Sequence, residues 1–137
     1  LQHYATLRSG KELQLGEAVS TYDMKPKVND CPQYDGGQGN VTKLNWMPDD
    51  SRLMWHDSPI SHGSSGGPVL DASGHLIGVS KRFDEKLGSG AIKPYLLKTF
   101  LKSNNVEYNT APSTQKLSLS EIKKKSDKFT VVIHCLN

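Results

Sequence analysis

The sequence predicts a mainly β, antiparallel fold with a closing helix and a short extra tail. Three observations predict it. Twelve glycines and seven prolines cut the chain into short apolar runs, the spacing of strands joined by turns. The runs "GPVLD" and "HLIGVS" flank "DASG", whose Asp, Ser and Gly favour a tight bend, so the two runs form a hairpin. The apolar period becomes helical only late, in "KPYLLKTFLKSNN".

Taken in order, "HYATLRSG" is a strand ending in a turn, and "GEAVSTYDM" is a second strand centred on Ala18 and Val19. "VNDCPQYDGGQG" has little to bury and reads as a loop. "NVTKLNW" is a third strand, "MPDDS" a turn and "RLMWH" a fourth strand; the hairpin follows, and "GSGAI" is a further short strand. In the helix, Leu96, Leu97, Phe100 and Leu101 share one face, Pro94 suits its first turn, and Asn104 and Asn105 end it. "EYNTAPSTQK" is polar and reads as a linker. Ser118 and Glu121 form a capping box for a short helix, and "FTVVIHCL" is β-like. Residues 1–106 are thus read as a barrel with its closing helix, and residues 107–137 as a linker and a helix/strand tail.

The bulk numbers exclude several classes. A chain of 137 residues suits one domain with a core of its own. Apolar content of 35% and a mean hydropathy of −0.55 point to a soluble protein. No run approaches the roughly 18 apolar residues of a membrane span, and "LQHYATLRSG" lacks the charged head and apolar core of a signal peptide. A start at Leu1 rather than methionine is expected of a chain cut from a longer precursor. Seventeen Lys and Arg against fourteen Asp and Glu give +3, too mild to point to nucleic acid. Cys31 and Cys135 allow one bridge or two free thiols. Neither C-x-x-C nor H-E-x-x-H spacing occurs, so no metal or cofactor is expected.

The stretch "SPISHGSSGGPVLDASGHLIGVS" carries the chemistry. A serine hydroxyl is a weak nucleophile until a base activates it, and the resulting oxyanion needs preorganised donors, usually backbone N–H groups. Aiming two N–H groups at one point demands backbone angles that only glycine adopts cheaply. In "GSSGGP", Gly63 turns the chain, Ser65 projects, and Gly66 and Gly67 leave room around it. An ordinary Gly/Ser turn is the other reading of the same residues.

The stretch resembles the nucleophile region of trypsin-like, chymotrypsin-fold serine proteases, whose motif is G-[DN]-S-G-G-P, and is closest to the HtrA-type branch. "WHDSPISHGSSGGPVLDASGHLIGVS" agrees with that branch at Asp57, Ile60, Gly63, Ser65 to Pro68, Leu70, Asp71, Gly74, Ile77 and Gly78. "LQLGEAV", "QGNVTKL" and "GSGAIKPYLLKTFL" are similar to flanking strands and the final helix, so the resemblance covers about residues 4 to 104. It implies a chymotrypsin-like antiparallel β-barrel, the second barrel of a two-barrel fold. It implies Ser65 as nucleophile and the N–H groups of Gly63 and Ser65 as the oxyanion hole. Pro59, Ile60, Ser61 and His62, with Ser58, become one wall of the substrate pocket; Ser80, Lys81, Arg82 and Phe83 become the other, with Ala91 and Ile92 near its floor. No carboxylate falls where trypsin keeps its specificity aspartate, so a medium apolar residue before the cut is implied. Ser64 departs from the family's Asp or Asn.

The family's histidine motif is absent from the sequence. "HYATLRSG" is the nearest match to its aspartate strand and puts His3 at the third triad position. Of the other histidines, His62 reads as a solvated loop residue, His75 as exposed after a turn, and His56 as preceding the pocket. The resemblance therefore implies a serine endopeptidase acting on a protein or peptide. Its first barrel would come from a companion chain of the same precursor, and an inactive homologue used for binding is the alternative. A half-protease would otherwise expose an apolar face. The remaining motifs read plainly: "NVT" at Asn40 is a glycosylation sequon within a strand, "KKK" at 123–125 a solvated helix face, and Cys31 a structural or inert cysteine rather than a second nucleophile.

Overall fold

The computed structural model describes residues 3–29, 31–133 and 135–136, and for residues 25–28 and 31–35 the backbone alone. Among these residues the order is β1 (Thr6–Ser9), β2 (Ala18–Val28), β3 (Cys31–Lys43), β4 (Leu53–His56), β5 (Pro68–Leu70), β6 (Leu76–Asp84), β7 (Gly88–Ile92), α1 (Pro94–Ser103), β8 (Asn109–Pro112) and α2 (Leu119–Phe129). Strands β5-β2-β3-β4-β7-β6 pair in that order, all antiparallel, and β5 pairs again with β6. The sheet thus closes into a six-stranded barrel.

Each barrel strand sends one side chain inward: Val19, Val41, Met54, Val69, Ile77 and Ala91. Neighbouring strand residues point to opposite faces. Leu70 and Leu76 therefore point outward, where they form a second apolar layer with Leu7 of β1 and Ile122 of α2. Each such fully buried side chain contributes about 1.5–3 kcal/mol relative to exposure. The expected hairpin is β5–β6, and its turn is tied by Asp71: Oδ1 accepts the N–H groups of Ser73 (2.9 Å) and His75 (3.0 Å).

The stretch expected to be a loop, residues 28–39, is instead the far end of a long β2–β3 ribbon. Val28 pairs with Cys31, and Asn29 takes φ +50° in the two-residue turn between them. Asn tolerates that left-handed angle. The glycines that suggested a loop serve close approach: a Cβ on Gly37 would lie 2.5 Å from the Pro59 ring.

The expected linker also pairs. β8 lies parallel to β1, with Thr6 opposite Asn109 and Ser9 opposite Pro112. Backbone pairing needs no apolar side chains, and β8 is mostly exposed, so its polar composition concealed it. Further along, Ser73 Oγ donates to Gln115 O (2.6 Å), and Leu117 N donates to Ala72 O (2.8 Å). His75, expected to be exposed, is half-buried under this segment: its Nδ1 lies 2.8 Å from Ser113 Oγ, which donates to Asp71 Oδ2.

Helix α1 begins with Pro94 and ends at Asn104, with Asn105 at φ +57°. Leu97 and Leu101 pack on the outer layer, but Phe100 is 64% exposed, so the apolar stripe is narrower than the sequence implied. The capping box of α2 forms as expected: Glu121 N donates to Ser118 Oγ (3.2 Å), and Ser118 N to Glu121 Oε2 (2.7 Å). Residues 130–133 make no strand, contrary to expectation, and His134 lies outside the described residues. With Val131 and Ile133 exposed there is no face to bury. Neither helix is long and apolar enough to cross a membrane.

Candidate active site

Residues 57–67 connect β4 to β5, and three strands pin the start of this loop, β3 through the Asp57 N–H, which donates to Asn40 O at 3.2 Å. Ser58 is fully buried; its Oγ lies 2.8 Å from Thr21 Oγ1 of β2, and its carbonyl accepts the Ser89 hydroxyl of β7 at 2.8 Å. Thr21 Oγ1 donates to Pro59 O (3.1 Å).

The turn that follows is held at every second point. Ser64 N donates to Ser61 O (3.0 Å), Gly67 N to Ser64 O (2.9 Å), and Gly66 N to Ser80 O (2.8 Å); Ser80 N returns to Gly67 O (2.9 Å). Gly63 and Gly66 take φ +95° and +90°, the left-handed region that glycine enters without strain. Ser64 points inward and is buried, while Ser65 is exposed. Among the described residues, the N–H groups of Gly63 and Ser65 have no protein acceptor. The Ser65 hydroxyl donates to Lys81 O at 3.2 Å. The serine thus stands on a rim with two amides beside it that have no acceptor among the described residues. It borders a groove of about 380 Å³ lined by Gly63, Ser65, Tyr22 and Asp23 on one side and by Phe129 to Ile133 on another.

No imidazole contacts Ser65 Oγ among the described residues. His56 is fully buried at the end of β4, and burial pushes its pKa down to about 4, with the Asp57 carboxylate and the Ser58 backbone offsetting part of that. It stays neutral inside the fold. His62 is exposed, as expected of a loop residue, and so is His3. Ala5, two residues after His3, lines the Ser65 groove. The Ser80 hydroxyl, whose own backbone brackets the nucleophile turn, is buried with no partner among the described residues.

Residues 4–79, more than half of the chain and including the whole turn, match the family described as the trypsin-like peptidase domain. The chain belongs to that family. It is also 28% identical over 144 aligned positions to the uncharacterized protein y4bJ of Sinorhizobium fredii (strain NBRC 101917 / NGR234). That alignment covers 96% of the chain and 22% of the relative's length.

Within the trypsin-like domain, both segments expected to wall a substrate pocket are hydrogen-bonded to the Ser65 turn, one through Ser61 and the other through Ser80 and Lys81. On the first, Pro59, Ser61 and His62 are exposed and Ile60 is half-buried; on the second, Lys81 and Arg82 are exposed, with Arg82 5.4 Å from the centre of the Trp46 ring. Ala91 fills the barrel core, and its neighbour Ser89 is the β7 residue that reaches the first wall. Sequence reasoning missed Asp23, whose Oδ2 accepts the Ser64 hydroxyl. The signal for it was the serine at position 64, which left a carboxyl group unaccounted for beneath the nucleophile.

Proposed function

We propose that this trypsin-like domain is the nucleophile-bearing barrel of a serine endopeptidase, with Ser65 attacking the peptide carbonyl. The observation that carries the reading is Ser65 on an exposed turn, flanked by two backbone N–H groups without a protein acceptor. In the reaction Oγ adds to the carbonyl carbon, a base takes its proton, and the oxyanion is held by the Gly63 and Ser65 amides. The same base then returns the proton to the leaving amine, and water completes hydrolysis of the acyl-enzyme.

The base and its acidic orienter come from a first barrel, on a companion chain or another segment of the same precursor. Its histidine Nε2 has to come within about 2.6–3.2 Å of Ser65 Oγ. His3, two residues before the groove-lining Ala5, is the candidate third member within this chain. A surface suited to the missing barrel is a groove of about 1160 Å³ between the chain start, α1 and the segment before β8, lined by Tyr4, Leu7, Leu97, Leu101, Val106 and Tyr108. The second wall presents Lys81 and Arg82, which disfavours a basic residue before the cut by like-charge repulsion. The substrate is a protein or peptide with an apolar residue there. The opposing reading, a binding module without catalysis, is favoured by the lack of an imidazole at Ser65 among the described residues.

The test is Ser65→Ala in the protein assembled with its partner or in its full-length form. Peptide cleavage and fluorophosphonate labelling are expected to vanish while the melting temperature holds. Equal turnover in wild type and variant would remove Ser65 from the chemistry. No cleavage or labelling of the wild type would leave binding as the function.

A further inference from the structure

Ser64 sits beneath the nucleophile, and its hydroxyl makes two close bonds at once, besides a longer 3.5 Å contact with the Ser61 hydroxyl. It accepts the Ser61 N–H at 2.8 Å and donates its own proton to Asp23 Oδ2 on β2. Both residues are more than nine-tenths buried, at 2% and 9% exposure. The backbone of Ser64 makes two more bonds, to Ser61 O and from Gly67 N. Four ties of the turn therefore meet at one residue, and Asp23 orients its side chain from the neighbouring strand. A hydroxyl that gives its proton to a carboxyl oxygen is a stronger acceptor for the next donor, so the two bonds reinforce each other. Gly63 and Ser65, whose amides have no acceptor among the described residues, are the two peptide neighbours of Ser64. The Ser65 N–H shares its peptide plane with the Ser64 carbonyl, and the Gly63 N–H lies two peptide planes earlier within the same hydrogen-bonded turn.

We infer that Asp23 is a positioning residue: by holding the Ser64 hydroxyl it fixes the Ser61–Gly67 turn, and with it the direction of the Gly63 and Ser65 N–H groups beside the nucleophile. This rests on the reading of Ser65 as nucleophile. Asp23 lies under the turn at the edge of the Ser65 groove, and its carboxyl group holds the hydroxyl of Ser64 rather than that of the nucleophile. The carboxyl group that supports this turn thus comes from β2, and a serine relays it. Gly67 fits the arrangement, since a Cβ there would lie 3.1 Å from Asp23 Oδ1 and 2.8 Å from Tyr22 O.

The experiment compares Asp23→Asn, Ser64→Ala and the double variant, together with the exchange Asp23→Ser/Ser64→Asp, which conserves the pair's combined length. In the assembled enzyme each single variant is expected to lower kcat about 10- to 100-fold, the worth of one hydrogen bond to a charged group. KM should change less than about threefold, because the loss is confined to the transition state. The double variant should fall no further than the worse single one, since both cut the same link, and the exchange variant should recover most of the loss. A role in stability alone would lower the melting temperature in proportion and leave the kcat of the folded fraction intact. Unchanged kcat, or single effects that multiply, overturns the inference.

Amide exchange of the full chain supplies a readout that needs no catalysis. The Ser61 N–H should exchange about tenfold faster in Asp23→Asn, with the Leu117 N–H unaffected. If the wild type proves inactive, the nucleophile reading falls; faster Ser61 exchange then keeps Asp23 as the support of the turn, and unchanged exchange overturns that too.

Discussion

Acid should destabilise this fold through one side chain. His56 closes β4, pairs across to Val41 and Ser89, and has no exposed surface. In the unfolded chain its imidazole takes up a proton near its ordinary value of 6.5, whereas in the fold burial defers that to about 4. Between these two values the unfolded state binds a proton that the folded state refuses. Stability due to this group is therefore complete above pH 6.5 and falls as the pH drops towards 4. At about 1.4 kcal/mol per pH unit, the loss over the interval is about 3 kcal/mol, a large share of the roughly 5–15 kcal/mol typical of a domain. The assay is urea unfolding at pH 7.5, 6.5, 5.5, 4.5 and 4, followed by the fluorescence of buried Trp55. The same series on His56→Gln removes the titration and leaves every other group in place. His75, also held low by burial, and the depressed exposed carboxylates contribute equally to both proteins and cancel. The difference in stability between the two proteins should shrink by about 3 kcal/mol from pH 6.5 to 4. Parallel pH profiles would refute the account.

Three further outcomes are expected. Gly63→Ala should reduce kcat by about 2.7–4 kcal/mol of transition-state stabilisation if its amide is an oxyanion donor, while calorimetry shows a smaller stability loss, about 1–3 kcal/mol from the positive φ, since a Cβ there meets nothing within 4 Å. Leu70→Ala should cost about 2–5 kcal/mol in urea unfolding, because Leu70 is fully buried between the barrel and α2. Ser118→Ala should cost about 1 kcal/mol, with a partial loss of helical circular dichroism, because it removes one half of the α2 capping box.

The sequence made the barrel and its nucleophile turn legible because both depend on local signals. "DASG" needs a tight turn, Gly63 and Gly66 need left-handed backbone, and "SLSE" needs a cap; each appears within four residues of itself. What stayed hidden depends on distant partners. Glycines at 36, 37 and 39 look like turn residues until Thr21, Pro59 and Ser58 are placed against them. The polar β8 looks like a linker until β1 is beside it. Asp23 is a lone acidic residue in β2, and only the folded ribbon brings it under Ser64, 41 positions away. The apolar run at 130–133 misled in the opposite sense, because strand-forming residues do not make a strand without an edge to join.

The position of β1 between β6 and β8 has a consequence for how the chain is made. Thr6 pairs with Asn109 and Leu7 with Leu76, so β1 leaves the ribosome well before its neighbours, which lie near the middle and in the last third of the sequence. At about 5–20 residues per second, the hundred or so residues separating β1 from β8 take roughly 5–20 s to synthesise. Through that interval β1 is an unmatched, partly apolar segment, open to whatever binds nascent chains. The six barrel strands can close among themselves before then. Completion of the outer layer, and with it the cover over Leu7, waits for the tail. A ribosome-stalled series ending before and after residue 112 would locate that moment as a step in protease resistance around β1.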